Sequence, residues 1–128
     1  MAIQKTTKPT ESELEILSVL WEMKNASVRT VHESLSKHKD AGYTTTLKLM
    51  QIMHEKKLVT RDDRNKIHIY EAAVTKEKTQ TQFLNRMINN LFSGSSTELV
   101  LQALGQQNTS KEELLKIEAL ISMLKSKQ

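Results

Sequence analysis

Residues 43–72 read YTTTLKLMQIMHEKKLVTRDDRNKIHIYEA, and within this stretch the hydrophobic period changes from helical to extended. Apolar residues recur at helical spacing over about 44–56, which predicts an amphipathic helix. A strand is then predicted at 58–61, a polar turn at 62–66 and a second, alternating strand at 67–70. A helix followed directly by a β-hairpin is the layout of a winged helix.

Two further helices are predicted on the N-terminal side of this stretch. Thr10-Glu11-Ser12-Glu13 has the pattern of a capping box, so a first helix begins after Thr10. Residues 25–27 interrupt the helical period, and Ser27 can cap a second helix. The third helix is predicted to pack on these two with the side formed by Thr46, Leu49, Met50 and Met53. We therefore predict a winged helix-turn-helix domain over residues 9–74, preceded by a polar, basic start that we expect to be frayed.

The period is helical again over residues 75–126, where three amphipathic helices are predicted. Their apolar stripes are wide, yet they contain too few residues to close a core of their own. A buried leucine contributes about 1.5–3 kcal/mol only if something covers it. We therefore predict a helical dimerisation arm in which a second copy covers the stripe, and the alternative is a monomer in which the arm folds back. The predicted interface residues are Phe83, Leu84, Met87, Ile88, Leu91, Leu99, Val100, Leu104, Leu114, Ile117, Leu120, Ile121 and Leu124.

The composition limits the class of protein. With 128 residues, 38% of them hydrophobic and 27% charged, the chain suits a small globular protein that is mainly α with a small β wing (α+β). The absence of cysteine excludes disulfides and thiolate metal sites. No apolar run exceeds three residues, so neither a membrane span nor a signal-peptide core is expected, and we predict a cytoplasmic protein without a metal or other cofactor.

The positive charge is concentrated on the third predicted helix, which we call the reading helix, and on the hairpin that follows it, which we call the wing. Residues 37–66 contain eight Lys or Arg against four Asp or Glu, a net charge of +4, which equals the net charge of the whole chain. A basic segment that coincides with a winged-helix pattern favours binding to double-stranded DNA. A merely solvated charged face is the alternative.

The candidate base contacts lie on the third helix, opposite its core stripe. Thr44 and Thr45 are short polar residues at its start, where the backbone approaches the bases most closely. Gln51 can bond adenine, and Lys48 can bond guanine or a phosphate. Simple N-capping is the alternative role for Thr44. The candidate phosphate contacts are Arg61, Arg64 and Lys66 in the wing and Arg29 at the start of the second helix, although Asp62 and Asp63 also suit a merely solvated turn.

The order of several motifs resembles the penicillinase-repressor family of bacterial transcription regulators (BlaI/MecI-type, with the copper-responsive CopY branch). The resemblance covers residues 9–126. It rests on Glu11-x-Glu13-Leu14-Glu15-Ile16-Leu17-x-x-Leu20-Trp21, Tyr43-Thr44-Thr45-Thr46-Leu47 with Met50 and Met53, Glu55-Lys56-x-Leu58-Val59, the wing from Arg61 to Ile69-Tyr70, Ser93-Gly94-Ser95 and Ser110-x-Glu112-Glu113-Leu114.

This resemblance implies a homodimeric repressor that reads an inverted-repeat operator. In the penicillinase branch a membrane-sensor protease system leads to cleavage within the C-terminal helices. The cleavage site aligns near Gln102-Ala103, where the family's usual asparagine–phenylalanine pair is absent. The chain also has Lys57 where the family usually has glycine and Ile52 where many members have arginine. It lacks the cysteines of the copper-responsive branch.

Other functions have less support in the sequence. An enzyme would need a catalytic or metal motif, but His32, His38, His54 and His68 include no pair at i, i+4 spacing, and the three glycines are isolated. A repressor released by a small ligand would need a lined pocket, and the chain has few aromatic residues. A winged helix that binds protein instead of DNA is the main alternative, favoured by Leu47 and Ile52 on the edges of the reading helix.

Overall fold

The computed structural model describes residues 8–128, so the expected fraying of the first residues lies outside the part described. The chain divides into two compact units, one ending at Thr81 and one running from Gln82 to Gln128. Helices dominate both, and a small antiparallel sheet belongs to the first. The predicted class, mainly α with a small β wing, is confirmed.

The first two helices begin at the predicted caps. Helix α1 spans Glu11–Met23, and Thr10 and Glu13 form the full capping box. The Glu13 amide donates to Thr10 Oγ1 at 3.2 Å, while the Thr10 amide donates to Glu13 Oε1 at 2.9 Å. Helix α2 spans Val28–Ser36 and is capped by Ser27, whose hydroxyl accepts from the Thr30 amide. Local sequence therefore fixes where both helices start.

Helix α3 spans Tyr43–Glu55, and its predicted core side is confirmed because Thr46, Met50 and Met53 are buried. The helix ends in a Schellman motif: the Leu58 amide donates to Met53 O at 2.9 Å and the Lys57 amide to His54 O at 3.1 Å. Lys57 has a φ of 66°, so a lysine occupies the left-handed position that usually takes glycine. This turn directs the chain into the wing.

The wing is a hairpin of β2 (Val59–Asp62) and β3 (Ile69–Ala72). The predicted start of the second strand at Ile67 is wrong by two residues. Asp62 pairs with Ile69, so residues 63–68 form the connection, and Ile67 is 68% exposed. The polar turn is thus longer than its composition indicated.

A third strand was not predicted. Residues Asn25–Ala26 form β1, which pairs antiparallel with β3 through Ala26 and Tyr70, giving the sheet order β1-β3-β2. The same residues interrupt the helical period in the sequence. The break between α1 and α2 therefore also anchors the wing to the helices.

All three helices and the wing contribute to one core in the first unit. Its side chains come from α1 (Ile16, Leu17, Leu20), β1 (Ala26), α2 (Val28, Val31), α3 (Met50, Met53), and the wing with the residue before it (Leu58, Val59, Tyr70). The Trp21 indole N–H donates to Val74 O at 2.9 Å, which ties the end of the wing back to α1. This core holds α3 against the other helices by one side only.

A buried ion pair fixes the C-terminal end of α3 on α1. Lys56 Nζ donates to Glu13 Oε1 at 2.7 Å, and the two side chains are only 10% and 2% exposed. The same Glu13 oxygen accepts from the Thr10 amide. One carboxylate therefore both caps α1 and positions α3.

The second unit contains the rest of the helices. Helix α4 (Lys76–Leu91) crosses the division between the units, and α5 (Ser96–Gln106) and α6 (Lys111–Ser126) follow it. Ser95 and Ser110 cap α5 and α6, because their hydroxyls accept from the Glu98 and Glu113 amides. No residue of 82–128 is buried. Among the described residues, no helix is long and apolar enough to cross a membrane.

Candidate nucleic-acid interface

The outer face of α3 is polar. Thr44, Thr45, Lys48 and Gln51 are all exposed, on the side opposite the buried Met50 and Met53. Gly42 is the N-cap of this helix and makes no side-chain capping bond. Thr44 is thus inside the first turn, and the N-capping alternative for it is wrong. Thr44 is exposed there, in the turn whose backbone amides have no partners within a helix.

A cleft of about 420 Å³ lies between the start of α2, the outer side of α3 and the wing. Its side chains include three cations and no carboxylate. The lining residues are Ser27, Val28, Arg29, Tyr43, Leu47, Gln51, Arg61, Lys66, Ile67, His68 and Tyr70. The first turn of α2 borders it, and the amides of a helix start attract anions. The cleft therefore suits an anionic group.

Tyr43 connects the start of α3 to α2. Its ring meets the His32 ring edge-on, with centroids 5.5 Å apart, and the Arg29 guanidinium lies 5.9 Å from its centroid. His32 Nδ1 is also 3.1 Å from the hydroxyl of the buried Thr46. Two side chains of α2 therefore hold both Tyr43 and the first turn of α3.

Arg61 points to the inner side of the wing. Its side chain is 25% exposed, and its Nη2 lies 3.5 Å from Asp63 Oδ2. Hydrogen bonding to the Tyr70 side chain is the main cause that raises the pKa of Arg61, with Asp63 adding to the effect. However, Nε is buried and meets no aligned acceptor within residues 8–128. The Tyr70 hydroxyl thus neighbours the guanidinium without saturating its donors.

Arg64 is arranged differently. Its Nε and Nη2 donate to the two oxygens of Asp62 at 3.0 and 2.8 Å, and its amide donates to Asp62 Oδ1 at 3.2 Å. These bonds lower the pKa of Asp62 to about 2, the side-chain bond to Arg64 being the largest cause. The Arg64 side chain is 84% exposed. Arg64 is a solvent-facing cation that already has an anion.

The structure thus brings together Gln51, Arg61, Lys66 and Arg29 at one cleft, while Arg64 lies outside it at the wing tip. Sequence analysis missed Tyr43, His68 and Tyr70 as cleft residues. Tyr43 could have been found as the residue directly before the threonine run. Tyr70 and His68 required the register of the hairpin, which composition did not give correctly.

The predicted interface residues of the second unit form a largely uncovered apolar surface. Seven of them are exposed: Leu84, Leu91, Val100, Leu114, Leu120, Ile121 and Leu124. The other six are half-buried: Phe83, Met87, Ile88, Leu99, Leu104 and Ile117. The predicted cleavage position, Gln102-Ala103, is exposed within α5 and lines an apolar groove beside Leu84 and Phe92.

Comparison with known proteins agrees with this arrangement of elements. Residues 9–123 match the model of a family described as penicillinase repressor. The chain belongs to the penicillinase repressor family. It is therefore a transcriptional repressor of the BlaI/MecI type. It is 27% identical over 118 residues to the methicillin resistance regulatory protein MecI of Staphylococcus aureus strain N315, covering 92% of this chain and 96% of that protein. The proteins of the same name from Staphylococcus epidermidis and Mammaliicoccus sciuri are 27% and 26% identical over the same lengths.

Proposed function

We propose that this repressor acts as a homodimer that binds an inverted-repeat operator with α3 in the major groove. The outer face of α3 carries the proposal. Its exposed side chains are polar and include one free-standing cation, Lys48, while the opposite side is locked into the core. Thr44 and Thr45 reach base edges at the helix start, and Gln51 reaches an adenine almost two turns further on.

The cleft beside α3 supports contact with the DNA backbone. Arg29, Arg61 and Lys66 lie around it, and none of its lining residues is acidic. Backbone contacts fix the register of a reading helix without reading sequence themselves. Arg64 contributes to DNA binding only if a phosphate replaces Asp62 as its partner.

The exposed apolar surface of the second unit supports dimerisation. Seven large apolar side chains at predicted interface positions are exposed in a single chain, whereas soluble monomers rarely expose large apolar patches. A symmetric dimer presents its two reading helices about 34–36 Å apart, or a multiple of this, so that they meet successive major grooves. The symmetry of the operator then follows the symmetry of the protein.

Relief of repression by a sensor-protease system remains a prediction. Gln102 and Ala103 are solvent-exposed, but they lie inside α5, and Ala103 O accepts from the Gln107 amide at 3.2 Å. A protease needs an extended substrate backbone, so α5 must unwind there before cleavage. We place the repressor in the cytoplasm, as a binding protein without cofactor or catalytic activity.

A winged helix that binds protein has less support. Leu47 and Ile52, the two residues that favoured it, are half-buried, and Leu47 packs against the core. They leave no apolar strip on the outer face of α3. A protein partner would find there chiefly threonine, lysine and glutamine.

The test is binding to a fluorescent duplex taken from the promoter region of the chain's own gene, with a scrambled duplex beside it. Tighter binding to the promoter duplex is expected. Lys48→Ala should weaken binding to both duplexes and reduce the salt dependence by about one unit, since one phosphate contact is lost. Lys111→Ala is the control, because it makes the same change at an exposed lysine of α6. It should change neither the affinity for the duplexes nor the salt dependence. Equal affinity for the two duplexes, or no effect of Lys48→Ala, contradicts the proposal.

A further inference from the structure

Arg61 and Tyr70 are direct partners across the wing. In the pairing of β2 with β3, Arg61 lies opposite Tyr70. Opposite residues of an antiparallel pair point to the same face, with Cβ atoms about 5 Å apart. Val59, two residues earlier and on the same face of β2, is 2% exposed. The register therefore turns the arginine toward the helices.

Tyr70 is itself immobile. It is 1% exposed and belongs to the core cluster, and Ala26 of β1 pairs with it from the other side. Its hydroxyl neighbours the guanidinium of Arg61, and Asp63 Oδ2 lies 3.5 Å from Nη2 of the same guanidinium. A long, flexible cation is thus held between a fixed phenol and a carboxylate. This reduces the rotamer freedom that Arg61 would otherwise lose on binding.

One donor of this arginine is unused. Nε is buried and meets no aligned acceptor in the described part of the chain. Buried charged donors are normally paired, so an unpaired one indicates a missing acceptor. Arg61 lines the cleft, whose other charged side chains are Arg29 and Lys66. The accessible part of the Arg61 side chain, 25% of it, is what a ligand in the cleft can meet. Since no acidic residue lines the cleft, an anion fits there, and a phosphate oxygen matches a guanidinium donor well.

We propose that Tyr70 is a positioning residue for DNA binding, which holds Arg61 in the cleft so that Arg61 and Arg29 together bind one phosphate of the DNA backbone. This inference rests on the proposed function and adds a residue that does not touch DNA. The ligand chemistry is a phosphate group. Backbone phosphate is the source favoured by the position of the cleft beside α3, and a free phosphate ester is the other source.

The experiment uses a double-mutant cycle on the full chain, with a fluorescent duplex of fixed arbitrary sequence because phosphate contacts do not depend on sequence. Arg61→Ala should lower the salt dependence of binding by about one unit. Tyr70→Phe keeps the ring but removes the hydroxyl, and it should weaken binding about fivefold, the scale of one hydrogen bond. In the Arg61→Ala background Tyr70→Phe should have no further effect on binding. Equal effects of Tyr70→Phe in both backgrounds overturn the proposal.

Val59→Ala is the matched control for a merely structural effect. Val59 is buried on the same face of the same strand, so this change lowers stability without touching the arginine. Its duplex affinity and salt dependence, measured well below its melting temperature, should match those of the parent. If Val59→Ala reproduces the binding defect of Tyr70→Phe, the defect reports stability and the positioning role is overturned.

Two further measurements separate this inference from the proposed function. The Nε–H resonance of Arg61 should be protected from solvent exchange in the parent and lose protection in Tyr70→Phe, with no DNA present. If the parent does not bind the duplex, the proposed function is wrong. The solvent protection of the Arg61 Nε–H resonance would still test whether Tyr70 positions Arg61. Titration with inorganic phosphate should change the position of the Arg61 Nε–H resonance only weakly. Submillimolar phosphate binding combined with unchanged duplex affinity in Arg61→Ala would overturn backbone phosphate as the ligand.

Discussion

The two units of this chain differ in how far their apolar side chains are buried. Up to Thr81, large apolar residues from three helices and a hairpin close around one core, and what faces outward on α3 is polar. From Gln82 onward no residue is buried, and leucines such as Leu91 and Leu120 are 74% and 51% exposed. The first unit forms its hydrophobic core within a single chain, whereas the second unit leaves its apolar side chains exposed or half-buried.

The difference lies in geometry rather than in composition. Both units contain amphipathic helices with proper caps, such as Thr10 for α1 and Ser110 for α6. In the first unit, however, a three-stranded sheet and an ion pair join helices that are distant in sequence. The second unit has only helices, and it lacks a second layer to cover them. In the proposed homodimer, a second copy of the chain supplies the missing layer for this apolar surface.

The largest effect is expected from introducing charge into the apolar stripe of α6. Leu120→Asp combined with Leu124→Asp places two carboxylates where the proposed partner helix packs. The protein should sediment as a monomer, since burying unpaired charge is strongly unfavourable. Operator affinity should fall about a hundredfold to ten-thousandfold, because the second half-site is no longer bound in the same event.

Leu115→Asp is the control for this double variant. Leu115 lies on the same helix and is 63% exposed, but it is on the side away from Leu120 and Leu124 at 100° per residue. It should sediment like the parent. A dimer that survives in the double variant, or is lost in Leu115→Asp, would show that another surface covers the second unit.

The next effect concerns the ion pair that closes the first unit. Lys56→Met leaves the Glu13 carboxylate buried at 2% exposure without its cation. We expect the free energy of unfolding of the first unit to fall by about 3 kcal/mol. Trp21, the only tryptophan of the chain, lies in α1 and reports this unfolding by its fluorescence in urea.

The exposed pair of Lys39 and Glu15 provides the matched comparison. These groups are 3.4 Å apart, with side chains 40% and 43% exposed. Lys39→Met should therefore change stability by less than about 1 kcal/mol. If both lysine variants shift the urea midpoint equally, burial is not what distinguishes the two pairs.

The sequence predicted the helices of both units well, because caps and hydrophobic periods are local signals. Thr10 and Ser27 cap the helices expected of them, and Ser95 and Ser110 cap α5 and α6 in the same way. The strands were predicted less well. The start of β3 was placed at Ile67 instead of Ile69, and β1 was missed because its two residues pair with a strand more than forty positions away. Strand register is a tertiary property that a local pattern does not contain.

The same limit applies to the candidate site. The exposed positions on α3 follow from helical period alone, and Thr44, Thr45, Lys48 and Gln51 are exposed as that period requires. The different environments of Arg61 and Arg64 do not follow from it. Both were simply wing cations in the sequence, whereas the strand pairing puts Arg61 opposite Tyr70 and leaves Arg64 paired with Asp62.

A smaller effect is expected from releasing Arg64. Asp62→Asn removes the carboxylate that holds the guanidinium at 2.8 Å but keeps an oxygen for the Arg64 amide. Duplex affinity should rise a few-fold, and the salt dependence should steepen by up to about one unit. Glu71→Gln, the same charge change on β3, is the control and should have a smaller effect.

The pH dependence of this pair follows from the pKa of Asp62, which Arg64 lowers to about 2 from 3.8. A lowered carboxyl pKa means that the pair is fully formed above the ordinary value and is lost only as the pH falls through the lowered one. The affinity ratio between Asp62→Asn and the parent should therefore stay constant from about pH 6 to about pH 8. A ratio that changes in that range would assign the effect to another group.

The smallest effect concerns the turn that joins α3 to the wing. Lys57 has a φ of 66°, a conformation that costs an L-residue about 1 kcal/mol and that glycine adopts freely. Part of that gain is offset by the greater freedom of glycine in the unfolded chain, so Lys57→Gly should stabilise the first unit by about 0.5 kcal/mol.

Lys37→Gly is the matched control, because Lys37 is the C-cap of α2 at a right-handed φ of −69° and gains nothing from glycine. A higher urea midpoint for Lys57→Gly and an equal or lower one for Lys37→Gly, both followed by Trp21 fluorescence, would locate the strain at the start of the wing. The opposite order would mean that the strand pairing beyond the turn, rather than the turn itself, fixes the position of the wing.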